Sequence, residues 1–106
     1  MKEKRIEQLE KYLLQTPHDP ISIYALALEI KDLDPPRAEG LFTELLENHP
    51  DYPATYYHAA AFFQEHGKRE EAEQIYEKGL ALLAHSKDTK ALSELRNAYQ
   101  NFQFEE

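Results

Sequence analysis

Apolar residues recur along this chain at helical spacing, and prolines and short acidic residues interrupt them at regular intervals. In residues 3–15, Ile6, Leu9, Tyr12 and Leu13 fall on one helical face with Glu7, Glu10 and Lys11 opposite, predicting an amphipathic helix that stops before Pro17. Asp19 offers an N-cap and Pro20 suits the first helical position, so a second helix is expected from Pro20 to Asp32, with Ile23, Leu26, Ala27 and Ile30 inward. Asp34-Pro35-Pro36 restarts the chain in the same manner, and a third helix with Ala38, Phe42, Leu45 and Leu46 inward closes before Pro50. A fourth, from Pro53 to His66, carries Tyr56, Ala59, Ala60 and Phe63 on one stripe and ends at Gly67, where a left-handed cap residue is commonly required. The fifth, from Lys68 to Ala84, carries Ala72, Tyr76, Gly79, Leu80 and Leu83, with Glu70, Glu71 and Glu73 near its positive end. Asp88 caps a last helix over residues 89–103 with Ala91, Leu92, Leu95, Ala98, Tyr99 and Phe102 inward.

The pattern repeats. Thr16-Pro17-His18-Asp19-Pro20 is mirrored by His49-Pro50-Asp51-Tyr52-Pro53, with both prolines displaced by 33 residues. Ile23, Leu26, Ala27 and Ile30 fill the same places as Tyr56, Ala59, Ala60 and Phe63. Ile30 to Ala38 is eight residues where Phe63 to Ala72 is nine, so the first turn is one residue shorter. Ala60, Ala72 and Gly79 lack the bulk that would hold two helices apart, which predicts a closely packed antiparallel hairpin.

This spacing resembles the tetratricopeptide repeat, whose pattern runs W-x2-L-G-x2-Y, then A-x3-F, then a late Pro over about 34 residues. Tyr56, Ala59, Ala60 and Phe63 take the first four places, and Ala72 with Tyr76 takes the A-x3-F pair. Tyr56 replaces the opening Trp, and Ala84 stands where the closing Pro would be, leaving the fifth helix free to run on past it. The resemblance implies an all-α fold: one domain over residues 1–106, a short right-handed solenoid of antiparallel hairpins with about six helices. Residues 20–50 and 53–86 are expected as full repeats, residues 1–17 as an N-terminal half-repeat cap and residues 88–104 as a C-terminal capping helix. Arg5 stands where complete repeats have Ala38 or Ala72, and Arg96 where Ala27 and Ala60 are small, as suits helices packed on one side only.

Tetratricopeptide repeats mostly bind peptides or protein partners on the concave face lined by the first helix of each repeat, so the resemblance implies a partner-binding groove here. With the core stripes turned inward, its residues would be Ile21, Tyr24, Leu28 and Lys31, then Ala54, Tyr57, Ala61 and Gln64, then Lys90, Ser93, Asn97 and Gln100. The groove would be apolar and aromatic at one end and amide-rich at the other. The alternative is that Tyr24, Leu28 and Tyr57 pack against one another. Relatives that grip a C-terminal carboxylate use Lys, Asn and Arg on this stripe, and only Lys90 and Asn97 come near that set.

Charge narrows the partners. Twelve basic and twenty acidic side chains give a net charge of −8, unevenly placed: residues 1–16 carry four basic and three acidic groups, residues 17–66 two and nine, residues 67–106 six and eight. An acidic middle repels phosphate backbones, so no nucleic acid is expected as partner. There are no cysteines, hence no disulfide framework or thiolate metal site. The charged start MKEKRIEQLEKYLL has no signal-peptide core, and nothing approaches the roughly 18 apolar residues of a membrane span, which points to a soluble cytoplasmic protein.

Catalytic chemistry finds no support. Ser22, Ser86 and Ser93 sit in no nucleophile-elbow context, no Gly-rich loop precedes a lysine, and there is no H-E-x-x-H. His58 and His66 share a helix face but stand two turns apart, too far for one ion without other ligands, and His18, His49 and His85 are scattered. No catalytic residue, cofactor or metal site is expected. The leading reading is a non-enzymatic module binding an unidentified protein or peptide, as a monomer. The alternative is a structural subunit that self-associates, as a weak homodimer, through its end helices, where Phe102 and Phe104 leave apolar surface a second copy could cover.

Overall fold

The computed structural model describes residues 2–105. Six α-helices follow one another: α1 (Lys2–Gln15), α2 (Pro20–Ile30), α3 (Pro35–Asn48), α4 (Ala54–Glu65), α5 (Arg69–Ala84) and α6 (Thr89–Phe104), with no strand among the described residues. No helix among them is long and apolar enough to cross a membrane. The chain divides into two compact units, Met1–Tyr52 and Pro53–Glu106.

In the first unit α2 packs against both α1 and α3. Ile23, Leu26, Ala27 and Ile30 of α2 and Ala38, Phe42 and Leu45 of α3 are buried, as their spacing predicts. Each fully buried large side chain of this kind contributes roughly 1.5–3 kcal/mol. No residue of α1 is fully buried, although Ile6, Leu9 and Leu13 are half-buried. Two ion pairs supplement that contact: Arg5 Nε lies 3.3 Å from Glu29 Oε1 on α2, and Arg37 of α3 meets Glu10 of α1.

The starts of α2 and α3 solve the same problem differently. Pro35 and Pro36 lack N–H groups, so the first donor of α3 needing a partner is Arg37, and Asp34 Oδ1 accepts from it at 3.3 Å. Asp19 makes no such bond; its carboxylate accepts from the Ser22 hydroxyl at 2.6 Å. Helix α2 also ends at Ile30, short of the expected Asp32. The Ile30 carbonyl accepts from Leu33 N at 2.9 Å and Asp34 N at 2.8 Å, which turns the chain early enough for Asp34 to cap α3.

In the second unit α5 lies between α4 and α6, and α4 also touches α6. Gly67, at φ 76°, closes α4: Gly67 N donates to Gln64 O at 3.1 Å and Lys68 N to Phe63 O at 2.9 Å, the paired bonds of a Schellman cap. The expected stripe of Tyr56, Ala59, Ala60 and Phe63 is buried, as are Ala72, Tyr76, Gly79 and Leu83, joined by Phe62, Ile75, Leu95 and Phe102. Although no proline follows Ala84, α5 stops there. Ser86 N donates to Leu83 O at 3.0 Å, Asp88 N to Ser86 Oγ at 3.1 Å, and Asp88 Oδ1 caps α6 by accepting from Ala91 N at 2.9 Å.

The tightest point is Gly79. A methyl group there would stand 2.6 Å from Tyr56 Cβ and 2.7 Å from Leu95 Cδ2, whereas at Gly40, on the open side of α3, it would meet nothing within 4 Å. Gly79→Ala should therefore lower stability by about 1–3 kcal/mol through overpacking. Gly40→Ala should raise it by about 0.5–1 kcal/mol through helix propensity. Thermal melts of the two variants should move in opposite directions; a shared direction would contradict the close approach at Gly79.

Candidate functional site

Two concave surfaces, each within one unit, include residues expected to bind a partner. In the first unit, an open groove of about 680 Å³ runs along α1 and α2, lined by Arg5, Gln8, Leu9, Tyr12, Ile21, Tyr24, Ala25, Leu28, Glu29 and Tyr52. Helix α2 turns Ile23, Leu26 and Ala27 into the core, and the same periodicity puts Ile21, Tyr24 and Leu28 on this wall. Ile21 is 63% exposed and Tyr12 49%. Tyr24 meets Tyr52 edge to face, ring centroids 5.7 Å apart at 77°, a geometry that aligns ring edge with ring face. The only charged lining residues, Arg5 and Glu29, pair with each other. Of the expected α2 stripe, Lys31 alone stays outside the groove.

In the second unit a shallower concavity of about 380 Å³ is lined by Tyr57, Gln64, Tyr76, Glu94, Asn97, Ala98 and Asn101. It brings together Tyr57, Gln64 and Asn97 from the expected stripes of α4 and α6; Ala54, Ala61, Lys90 and Ser93 do not line it. Gln64 is held at both ends of its amide: Tyr76 Oη donates to its Oε1 at 2.8 Å, and its Nε2 donates to Glu105 Oε2 at 2.7 Å. Glu105 Oε1 in turn lies 3.5 Å from Arg69 Nη1.

Arg69 is the residue that sequence reasoning missed most completely. Its guanidinium carbon lies 4.2 Å from the centroid of the Phe102 ring, and its Nη2 donates to Phe102 O at 3.1 Å and Glu105 O at 3.4 Å. Beneath it Tyr76, Tyr99 and Phe102 form an aromatic cluster with centroids 5.2–6.1 Å apart. Phe102, expected with Phe104 to leave outward apolar surface, is therefore covered and only 3% exposed; Phe104 is 87% exposed. An arginine at the first position of a helix carries no packing signal in sequence, because its partner lies 33 residues on. Arg69→Ala should lower stability by about 1 kcal/mol or more. Arg69→Lys should not restore it, since an ammonium group cannot stack flat and bond two carbonyls together. Denaturant melts of the two variants check this.

Three phenols, those of Tyr24, Tyr76 and Tyr99, hold their protons more tightly than usual. Burial, then Tyr52, raises the pKa of Tyr24; burial, then Tyr57, Glu105 and Glu65, raises that of Tyr76. Tyr99 is raised by burial and by the carboxylates of Glu77 and Glu73, which accept from its hydroxyl at 3.2 and 3.4 Å. A group that binds its proton more tightly when folded contributes stability below its unfolded pKa, here 10.0, and loses it as the pH climbs through the folded value. Phenolate absorbance should show part of the seven tyrosines ionising late, with Tyr24→Phe removing one late step. Co-titration of all seven near their ordinary value would contradict the packing described.

Among the described residues no three His, Cys, Asp or Glu side chains gather where they could hold a metal ion. Paired helices that interlock through alanine and glycine, start behind proline and recur along the chain define a helical-hairpin repeat protein. The chain matches no family model and no curated protein. Among solved structures it is similar to a tetratricopeptide repeat domain protein from Salinibacter ruber. A solution NMR structure of such a domain has 36% identity over 85% of this chain and 92% of that one, with a TM-score of 0.78. A crystal structure has 36% identity over 84% of this chain and 100% of that one, with a TM-score of 0.77. The chain belongs to the tetratricopeptide repeat family.

Proposed function

We propose that this chain is a non-enzymatic protein–protein interaction module that holds a peptide or protein partner against the first helices of its repeats. The observation that carries this reading is the open groove beside α2, where Ile21, Tyr24 and Leu28 stand with Tyr12 and Tyr52 on a mostly apolar wall. Exposed aliphatic and aromatic side chains gathered in a concavity are costly to leave in water and are a recurrent mark of a binding site. Family membership supports the same reading, since tetratricopeptide repeats mostly serve as protein-binding scaffolds. Tyr57, 45% exposed, would play the matching part on α4.

A second reading, self-association through α1 and α6, draws on Leu14, 85% exposed, and on Phe104. It is the weaker of the two: Phe102 is covered, and Leu14 and Phe104 are single side chains of the kind any protein surface carries.

Selection of a displayed random peptide library on the wild-type chain tests the first reading. Enriched peptides should bind about tenfold more weakly, roughly 1.4 kcal/mol, to Tyr24→Ala or Tyr57→Ala, while the variants keep the wild-type helical spectrum. Sedimentation at micromolar concentration should report mainly monomer. A dimer dissociated by Phe104→Glu, together with peptides indifferent to both tyrosine substitutions, would sink the groove reading and favour self-association.

A further inference from the structure

The concavity of the second unit differs in chemistry from the apolar groove of the first. It is lined by Tyr57 and Tyr76, by the amide residues Gln64, Asn97 and Asn101, by Ala98, and by one carboxylate residue, Glu94; no basic residue lines it. Glu94 is exposed and forms no ion pair among the described residues, although Lys90 stands one helical turn before it and i,i+4 pairs of that kind are common. Glu105 stands behind this wall, accepting from Gln64 Nε2 at 2.7 Å and lying 3.5 Å from Arg69 Nη1. Arg69, the cation beside Glu105, is engaged by the Phe102 ring, the Phe102 and Glu105 carbonyls and the Glu105 carboxylate.

We infer that this concavity takes a cationic side chain of a peptide, arginine before lysine, with the charge against Glu94 and the flat group beside Tyr57. The inference rests on the reading of the chain as a peptide-binding module and supplies the chemistry of one subsite. Three properties converge on a guanidinium. A carboxylate accepts two of its N–H groups in parallel, an aromatic face attracts its delocalised charge, and carboxamide oxygens accept its remaining donors. Asn97 and Asn101 stand one turn apart on α6 and Glu94 one turn before Asn97, so all three project from one face of that helix. Gln64 is a positioning residue: its amide is already committed to Tyr76 and Glu105, which fixes the α4 wall and leaves the α6 amides to the ligand. An anionic side chain is disfavoured by the same Glu94 carboxylate that favours a cation, and a net charge of −8 draws basic segments from a distance.

The test is an NMR titration of the full chain with the tripeptide acetyl-Ala-Arg-Ala-amide at low salt, against the same peptide with norleucine or glutamate at the centre. The arginine peptide should give saturable shifts of the Asn97 and Asn101 side-chain amides and the Tyr57 ring, weakening with added salt. The norleucine and glutamate peptides should give none. Glu94→Gln, a swap on an exposed helix face that keeps the fold, should weaken the arginine peptide at least about fivefold, and Glu94→Lys should abolish its binding. No saturable shift at these residues, equal shifts on the Glu70 and Glu71 face of α5, or an unchanged response in Glu94→Gln would each overturn the inference. Library peptides that depend on Tyr24 but carry no basic position would overturn it while leaving the interaction-module reading intact. An arginine peptide that saturates here while the library yields no binder would do the reverse.

Discussion

The second unit depends on how closely α5 can approach its two neighbours. At Gly79 the absent side chain lets the Tyr56 ring and the Leu95 methyls close over the α5 backbone, and one residue with no Cβ thus serves two helix interfaces at once. Ala60 of α4 and Ala72 of α5 are also fully buried and add little bulk to those helices. Everything that makes this unit chemically distinctive follows from that approach. Tyr76 can reach Gln64 on α4 and stack on Tyr99 of α6 only because both helices lie within a side chain's length of α5.

The first unit is assembled on a different balance. Its α2–α3 pair is a conventional apolar seam built on Leu26, Ala27, Ala38 and Phe42, whereas α1 buries no residue completely and adds charge pairs through Arg5 and Glu10. Exposed ion pairs contribute little, on the order of 0–1 kcal/mol each, so α1 is held chiefly by its half-buried Ile6, Leu9 and Leu13. The looser fit leaves open space beside α2, and that space is the apolar groove. Weak packing of one helix and the presence of an open apolar groove are here the same fact.

Polar groups divide the two surfaces by chemistry. Beside α2 the single positive and single negative lining groups neutralise each other, which leaves apolar and aromatic contact to dominate. Between α4, α5 and α6, amides and the Glu94 carboxylate, which forms no ion pair among the described residues, line the wall, while Arg69 is engaged at the end of α6.

Much of the fold was legible in the chain because its determinants are local or periodic. Prolines and aspartates at Asp19-Pro20 and Asp34-Pro35 fix where helices begin, Gly67 fixes where one ends, and the 33-residue displacement of two prolines announces the repeat. Stripes such as Ile23, Leu26, Ala27 and Ile30 identify the buried face without reference to any neighbour, since helical geometry alone puts them together. That geometry also placed Ile21, Tyr24 and Leu28 on a common wall. Tertiary structure alone decided which distant residues meet that wall, because contacts between helices depend on axial offset and rotation that no single helix encodes. Hence Tyr52 against Tyr24, Arg69 over Phe102, and the Tyr76–Gln64–Glu105 chain were invisible in sequence. The two helical glycines, Gly40 and Gly79, are alike in composition and in element, and only the packing around them makes one a surface residue and the other the point where three helices touch.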